Sequence, residues 1–516
     1  MTPRFNLLDE PWLPVRFADG RVRDVGLLEL FERAGEISAL AETAPPSLIA
    51  EYRLLLAITH RTLTWAHGPW KDKDRARWYR EGLPQDALRD YLEHWRERFW
   101  LFHPEQPFMQ VAALATAEET CDKLKPWTQI SLASANGNTP VVFDHSCDVA
   151  PTSIAPAEAL RTLLGFLQFT PGGLVKTLRD SDKAGALANT AAALPVGTSL
   201  QQTLCLALHP ASIQDDLPSW ERAPVQRRDL LAEPTLATGA NDRYTRISRA
   251  VLLHETDKGL VQWLRFAAGV ALGDDPNAPD PMASYRAGSN NLVRLSFTEG
   301  RALWRDLPAL VPDAEGKVCQ PASVLGWAAN LHPYLGALHV EQPLLIAGLA
   351  SDQAKLLRWR CEQIALPTVL LADPQTAGFL RSEVRRAESL YEQVRTLATG
   401  VLADTMPDSR SKDTRARARA VLDGSAAAAT FFAIAERALP ALLQRIGAGD
   451  GEGARRDWSA SLLQAAEACW EVLRRNLGQS PLALRAEARA WPRFRALLRE
   501  LQPAAPNPQP SKEAQA

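Results

Sequence analysis

The chain has 516 residues, 46% of them hydrophobic, with Lys+Arg 58 against Asp+Glu 60 and a formal net charge of −2. That length gives roughly two to four domains around a large buried core, and the near-zero charge excludes a protein that holds nucleic acid by bulk electrostatics alone. The six cysteines (Cys121, Cys147, Cys205, Cys319, Cys361 and Cys469) include no CxxC pair, which excludes a zinc ribbon and a secreted disulfide framework.

The opening residues Met1 to Phe5 carry no signal-peptide apolar run. No stretch approaches the ~20 uncharged apolar residues of a membrane helix. A cytoplasmic, reduced protein without a membrane partner is expected. Residues 5–17 read as a short strand entered through a turn, Ala18-Asp19-Gly20-Arg21 as a hairpin turn, and Val22 to Val25 as the returning strand. Residues 27–36 and 45–66 are helical in period. In the second, Leu48, Tyr52, Leu55, Ile58 and Leu63 fall at three- and four-residue steps. Lys71 to Arg77 is a charge run broken by aspartates, so it reads as a solvated loop rather than a nucleic-acid patch. Residues 86–99 form an aromatic amphipathic helix that Pro104 and Pro107 terminate.

Pro107-Phe108-Met109-Gln110 reads as core. Ser131 to Pro140 is a polar, turn-rich segment, followed by a strand-like Val141 to His145 and a helix at about 155–169. Pro171-Gly172-Gly173 then reads either as a glycine helix stop or as backbone that another molecule can approach. From 185 to 345 a mixed α+β region is expected. Thr203 to Leu208 alternates weakly, Arg243, Arg246 and Arg249 make a basic cluster around Tyr244, and Leu260 to Leu272 fits a strand or a short helix. Residues 274–282 are a proline-rich acidic loop.

Near residue 345 the character changes to helix. After a lead-in at 351–364 come four long amphipathic segments, 376–404, 413–446, 456–477 and 481–502, joined by short breaks. That pattern predicts an up-down four-helix bundle. The fold class is therefore α+β: a mixed α/β domain over 1–365, a four-helix bundle over 366–502, and a Pro/Ala/Gln-rich tail, 503–516, expected to be disordered.

The nine histidines are dispersed, and the chain has no HExxH, P-loop, GxSxG or GxGxxG. Asp144 and His145 are adjacent, but neighbours in a strand face opposite ways, so His145 reads as structural. Glu383, Glu388 and Glu392 alternate with Arg381, Arg385 and Arg386 as ion pairs on a solvated helix face. Arg415, Arg417 and Arg419 read the same way, although an arginine-rich helix start also suits phosphate. No catalytic residue, metal or cofactor is expected. Two rival readings stay open: an enzyme whose site assembles from dispersed residues such as Asp144, His145 and Arg161, and a structural helical interaction protein.

Four stretches together resemble one family. They are Phe5 to Val15 (FNLLDEPWLPV), the tetrapeptide Pro107-Phe108-Met109-Gln110, Phe143-Asp144-His145 followed by Pro156 to Arg161 and Pro171-Gly172-Gly173, and Asp280-Pro281-Met282 with Tyr285-Arg286 and Arg301 to Asp306. In order and spacing they are similar to the large, CasA-type subunit of type I-E Cascade, the CRISPR RNA-guided surveillance complex of bacteria. The helical C-terminus fits that family's bundle.

The resemblance implies a non-catalytic subunit whose partners are other Cascade subunits, CRISPR RNA, double-stranded target DNA and a helicase–nuclease. It implies recognition of a protospacer-adjacent motif, largely from the minor groove, and initiation of the R-loop. Base pairing reads the target sequence, so the protein reads only a short motif. The positions that match the family's glycine reading loop are Pro171, Gly172 and Gly173. Arg265 matches its basic minor-groove finger, with Lys258 or Arg286 as alternatives. Asp352, Gln353 and Ala354 match its strand-separating wedge, with Gln353 at the tip; without the resemblance, Ser351 or Asp352 reads as a helix N-cap. Asn136, Asn138 and Phe143 fall in a loop resembling the one that docks the subunit near the 5′ end of the guide RNA.

Overall fold

A computed structural model describes residues 2–134, 147–211, 216–336, 340–352 and 355–501. The sites expected at Asn136, Asn138, Phe143, Gln353 and Ala354, the Asp144-His145 pair and the tail 503–516 lie outside the described residues. The chain divides into two units. One comprises Met1–Arg301 and Ala309–Ala372; the other comprises Ala302–Pro308 and Asp373–Ala516.

The first unit is built around α1 (Pro45–His67). Its sequence period marks one apolar face, yet nearly every residue from Pro45 to Leu63 is buried. It is a core helix, enclosed on all sides. Arg53, in its middle, pairs through both terminal nitrogens with Asp280 at 3.0 and 2.9 Å, and both side chains are fully buried. The acidic loop expected at 274–282 thus sends one carboxylate into the core.

The charge run Lys71 to Arg77 is not a loop. It opens α2 (Asp72–Glu81), whose first-turn Asp72 and Asp74 complement the helix dipole. Arg75 is fully buried and donates to the carbonyls of Leu208 (2.7 Å) and Trp327. α3 (Pro156–Phe169) packs on α1 and starts with proline at its first position. β1 (Gly173–Thr177) and β2 (Arg179–Asp182) follow as a two-stranded ribbon, then β3 (Ala191–Pro195). The weak alternation at Thr203 to Leu208 belongs to a helix, Leu200–Ala207, capped by Ser199. β4 (Arg249–Glu255) and β5 (Val261–Ala268) form a hairpin, so within 260–272 the strand alternative holds over Val261–Ala268.

β6 (Glu341–Asp352) and β7 (Lys355–Pro367) form a long antiparallel hairpin, and β3 pairs along β6 to complete a three-stranded sheet. The described residues of the helical lead-in expected at 351–364 are therefore strand. Arg358, Arg360 and Glu362 recur at every second residue, which is the period of a strand.

Among the described residues the second unit holds five α-helices: α4 (Pro374–Asp404), α5 (Lys412–Asp423), α6 (Ala427–Gly447), α7 (Gly451–Leu477) and α8 (Pro481–Leu501). The segment expected as one helix, 413–446, is two, bent by 48°. The break holds Gly424 and Ser425, which are weak helix formers. α4, α6, α7 and α8 are the four long members, and α5 packs on α4. Glu383 does not sit on a solvated face. It is 2% exposed and accepts from Arg455 (3.0 Å) and Arg386 (3.3 Å). Arg305, from the short contributed segment, pairs with Glu388 at 2.6 and 2.7 Å and covers the Phe432 ring. No single described helix is long and apolar enough to cross a membrane; α5 and α6 pass that test of length and composition only together.

Candidate nucleic-acid interface

The segment after α3 is built to expose backbone. Thr170 closes the helix with its N–H on the Phe166 carbonyl at 2.8 Å, and Pro171 begins the departure. Gly172 and Gly173 are exposed. Gly173 has φ +151, and a Cβ placed on it meets nothing within 4 Å. Glycine is thus favoured there by the dihedral and not by crowding, and the backbone borders open space. The turn of the β1–β2 ribbon continues the irregularity: Lys176 and Leu178 have φ of 59° and 69°. Left-handed non-glycine residues cost energy and collect at functional segments. Lys176 is exposed.

A buried clamp holds this segment from below. Arg249 is 2% exposed and donates to the carbonyls of Pro171 (2.7 Å), Lys183 (2.7 Å) and Ser248 (2.8 Å). It also pairs with Asp182 at 3.2 Å. Burial pushes the Arg249 guanidinium below its ordinary pKa, and the Asp182 charge opposes that shift. Asp182 accepts the backbone N–H of Gly269 (2.8 Å) and of Lys183 (2.9 Å), and Arg179 at 3.1 Å. The basic cluster read around Tyr244 is therefore internal. Arg243 donates to the Ala278 carbonyl at 2.8 Å, and Arg246 pairs with Asp242 at 2.5 Å.

The β6–β7 hairpin meets the end of α3. A Cβ on Gly348 would lie 2.4 Å from the Thr190 carbonyl oxygen and 3.4 Å from the Phe169 ring, so β6 approaches closely at that point. From Gly348 the strand runs four residues on to Asp352, about 13 Å at the usual rise. Asp352 ends β6 opposite Lys355. Ser351 and Asp352 are therefore strand, and the helix-cap reading of them is overturned. Arg358, opposite Ala350, is exposed and pairs with Glu299 at 3.3 Å.

Arg265 lies half-buried in β5, with Nε and Nη2 on the Cys121 carbonyl at 3.3 and 3.0 Å. β5 packs beside β1 and leads into Gly269 of the clamp. Lys258 is exposed at the opposite end of the β4–β5 hairpin, and Arg286 sits in a separate strand, Tyr285–Ala287. Of the three candidate cations, Arg265 is nearer along the strand to the clamp. Arg161, a member of the rival enzymatic set, is engaged with Glu42 at 2.8 Å and the Trp12 carbonyl at 2.8 Å. Among the described residues no group of three or more His, Cys, Asp or Glu could hold a metal ion.

Sequence reasoning missed the clamp, Lys176 and Arg358. Asp182 and Arg249 are too far apart in sequence to leave a local signal. Arg358 was legible in the two-residue period of β7.

The family model for CRISPR-associated protein Cse1 matches residues 6–469. A CRISPR-associated protein CasA/Cse1 of Thermus thermophilus is 35% identical over 506 residues, covering 96% of this chain and 98% of its own. The solved structure of Thermus thermophilus CasA (Cse1) matches with a TM-score of 0.83 at 32% identity, over 97% of this chain and 100% of that one. A chain of a CRISPR RNA-guided surveillance complex shares the fold, with a TM-score of 0.74 at 22% identity over 96% of this chain and 100% of its own. The matched range runs through both units, so the chain belongs to the CRISPR-associated Cse1 family.

Proposed function

We propose that the chain is a non-catalytic subunit of a cytoplasmic CRISPR RNA-guided surveillance complex, where it reads the protospacer-adjacent motif on duplex DNA. In this reading it starts strand separation and presents the opened target to a helicase–nuclease. The observation that carries the proposal is the exposed Gly172-Gly173 backbone, mounted on the buried Arg249–Asp182 pair in a member of the Cse1 family. Backbone N–H and C=O groups reach base edges where a side chain would collide, and the degenerate minor-groove pattern suits a short, tolerant motif. Arg265 serves as the groove cation. Asp352, Gln353 and Ala354 serve as the wedge. Unstacking costs a few kcal/mol per step, so the wedge depends on phosphate contacts and on guide pairing. Asn136, Asn138 and Phe143 dock the subunit against the guide RNA and its neighbours.

Band-shift titration of the assembled complex, with and without this subunit, against duplexes that carry or lack candidate motifs tests the reading. Gly173→Asp places a carboxylate at the reading surface and is expected to weaken motif-dependent binding about 10- to 100-fold. Gln353→Ala is expected to spare duplex binding and slow strand opening, followed by permanganate reactivity of unpaired thymines. Motif-dependent binding that survives omission of the subunit overturns the proposal.

A further inference from the structure

The helical unit carries a second surface, distant in sequence from residues 171–173. α4, α5 and α8 enclose a groove of about 720 Å³. Lys412, Arg415 and Arg419 line one wall at the i, i+3, i+7 spacing of a single face of α5. Arg489 and Arg493 line the other at the i, i+4 spacing of α8. All five are exposed, and Asp404 is the lone carboxylate among the described lining residues.

Several other arginines of this unit are engaged in ion pairs. Arg395 pairs with Asp423 at 2.6 Å, Arg445 with Asp450 at 2.5 Å, Arg455 with Glu383 at 3.0 Å, and Arg474 with Glu487 at 2.9 Å. None of the five groove cations makes an ion pair among the described residues. Like charges at i, i+4 disfavour a helix when nothing neutralises them. A bound polyanion removes that cost.

The lining also identifies the class of polyanion. Thr399, Gly400, Ala416, Ala486 and Ala490 are small, so a chain can reach the cations from either side. No aromatic lines the described groove, so it offers no platform for base stacking and no large anchor for a peptide. Along each wall, cations four residues apart are separated by about 6 Å, the scale on which phosphates repeat along an extended strand. We propose that this groove holds a single nucleic-acid strand by its phosphates, without reading its bases. The proposal goes beyond motif recognition and does not depend on the glycine segment.

Fluorescence anisotropy on the full-length chain tests it. The probes are a labelled 20-nucleotide DNA strand, an RNA strand of the same sequence and a motif-free duplex, each titrated between 50 and 200 mM salt. The variant combines Arg415→Gln, Arg419→Gln, Arg489→Gln and Arg493→Gln. It is expected to melt no lower than the parent and to lose at least tenfold in single-strand affinity. Its log–log salt slope is expected to flatten by about 0.7 per cation removed. Gly173→Asp is expected to leave this binding unchanged, which separates failure of the groove from failure of the motif reading. Binding of either single strand supports the proposal, and the DNA-to-RNA ratio names the strand. An unchanged affinity and slope in the variant overturn it. So does a clear preference for the duplex, or displacement of the strand by polyglutamate of equal charge, which would assign the groove to an acidic protein segment.

Discussion

Glu51 lies inside α1 with its side chain fully buried, and neither carboxylate oxygen has a partner among the described residues. Burial, helped by the Glu42 charge and opposed by Arg161, pushes its pKa well above 4.5. The folded chain therefore keeps a proton that the unfolded chain releases. Stability is full below the unfolded pKa and falls as pH rises toward the folded one. Glu51→Gln removes that penalty. Its melting temperature should match the parent near pH 4 and exceed it at pH 8, a gain on the order of 1–3 kcal/mol. Calorimetry at both pH values checks this, and a gain equal at both would refute it. His60 and His209 act in the opposite direction. Their rings stack 3.6 Å apart; burial lowers His60 to about 4 and pushes His209 well below the ordinary histidine value. They favour the folded state above the ordinary histidine range, and that contribution drains away on acidification. Asp280 tells a third story. Burial alone would raise its pKa, but Arg53 and Arg243 override it and keep the carboxylate charged.

At the scale of elements, what was legible depended on whether the signal was local. α3, the N-terminal hairpin and the long helices of the second unit were readable from period, proline starts and glycine breaks. The β6–β7 hairpin was not, because β7 mixes apolar pairs such as Leu356-Leu357 with the alternating charges that follow. α2 was missed because a charge run looks solvated until its i, i+3 pairs and one buried arginine are placed on a helix. Gly348 had no local signal either. Its requirement comes from Thr190, a residue in a different strand region, which a Cβ would approach to 2.4 Å. Gly348→Ala must therefore shift β6 away from β3 or strain the chain. A loss of about 1–3 kcal/mol is expected from such overpacking. Urea denaturation should show a lower midpoint with an unchanged m-value, and wild-type stability would contradict the close approach. The break at Pro171-Gly172-Gly173 after α3 was visible in the sequence, but the clamp beneath it joins residues from β2 and β4 and needed the fold.

For the whole molecule, a net charge of −2 hides strong local separation: Arg53 paired in the core, and five exposed cations in one groove without an ion pair among the described residues. Composition correctly warned against a uniformly basic surface and could not reveal a patch. The six cysteines are all free, with Cys205, Cys319 and Cys469 buried and Cys147 and Cys361 exposed. The fold needs no redox support. Reducing agent should leave the melting temperature unchanged, while a thiol reagent should titrate the two exposed cysteines quickly and all six only after denaturation. A melting temperature that drops on reduction would contradict free thiols. The Arg249–Asp182 clamp has a consequence of another kind. It grips the Pro171 and Lys183 carbonyls and the Gly269 and Lys183 amides, all main-chain atoms. Such a mount is blind to the side chains it carries. The seat is thus indifferent to substitution above it, and the restriction at position 173 comes from its own backbone dihedral.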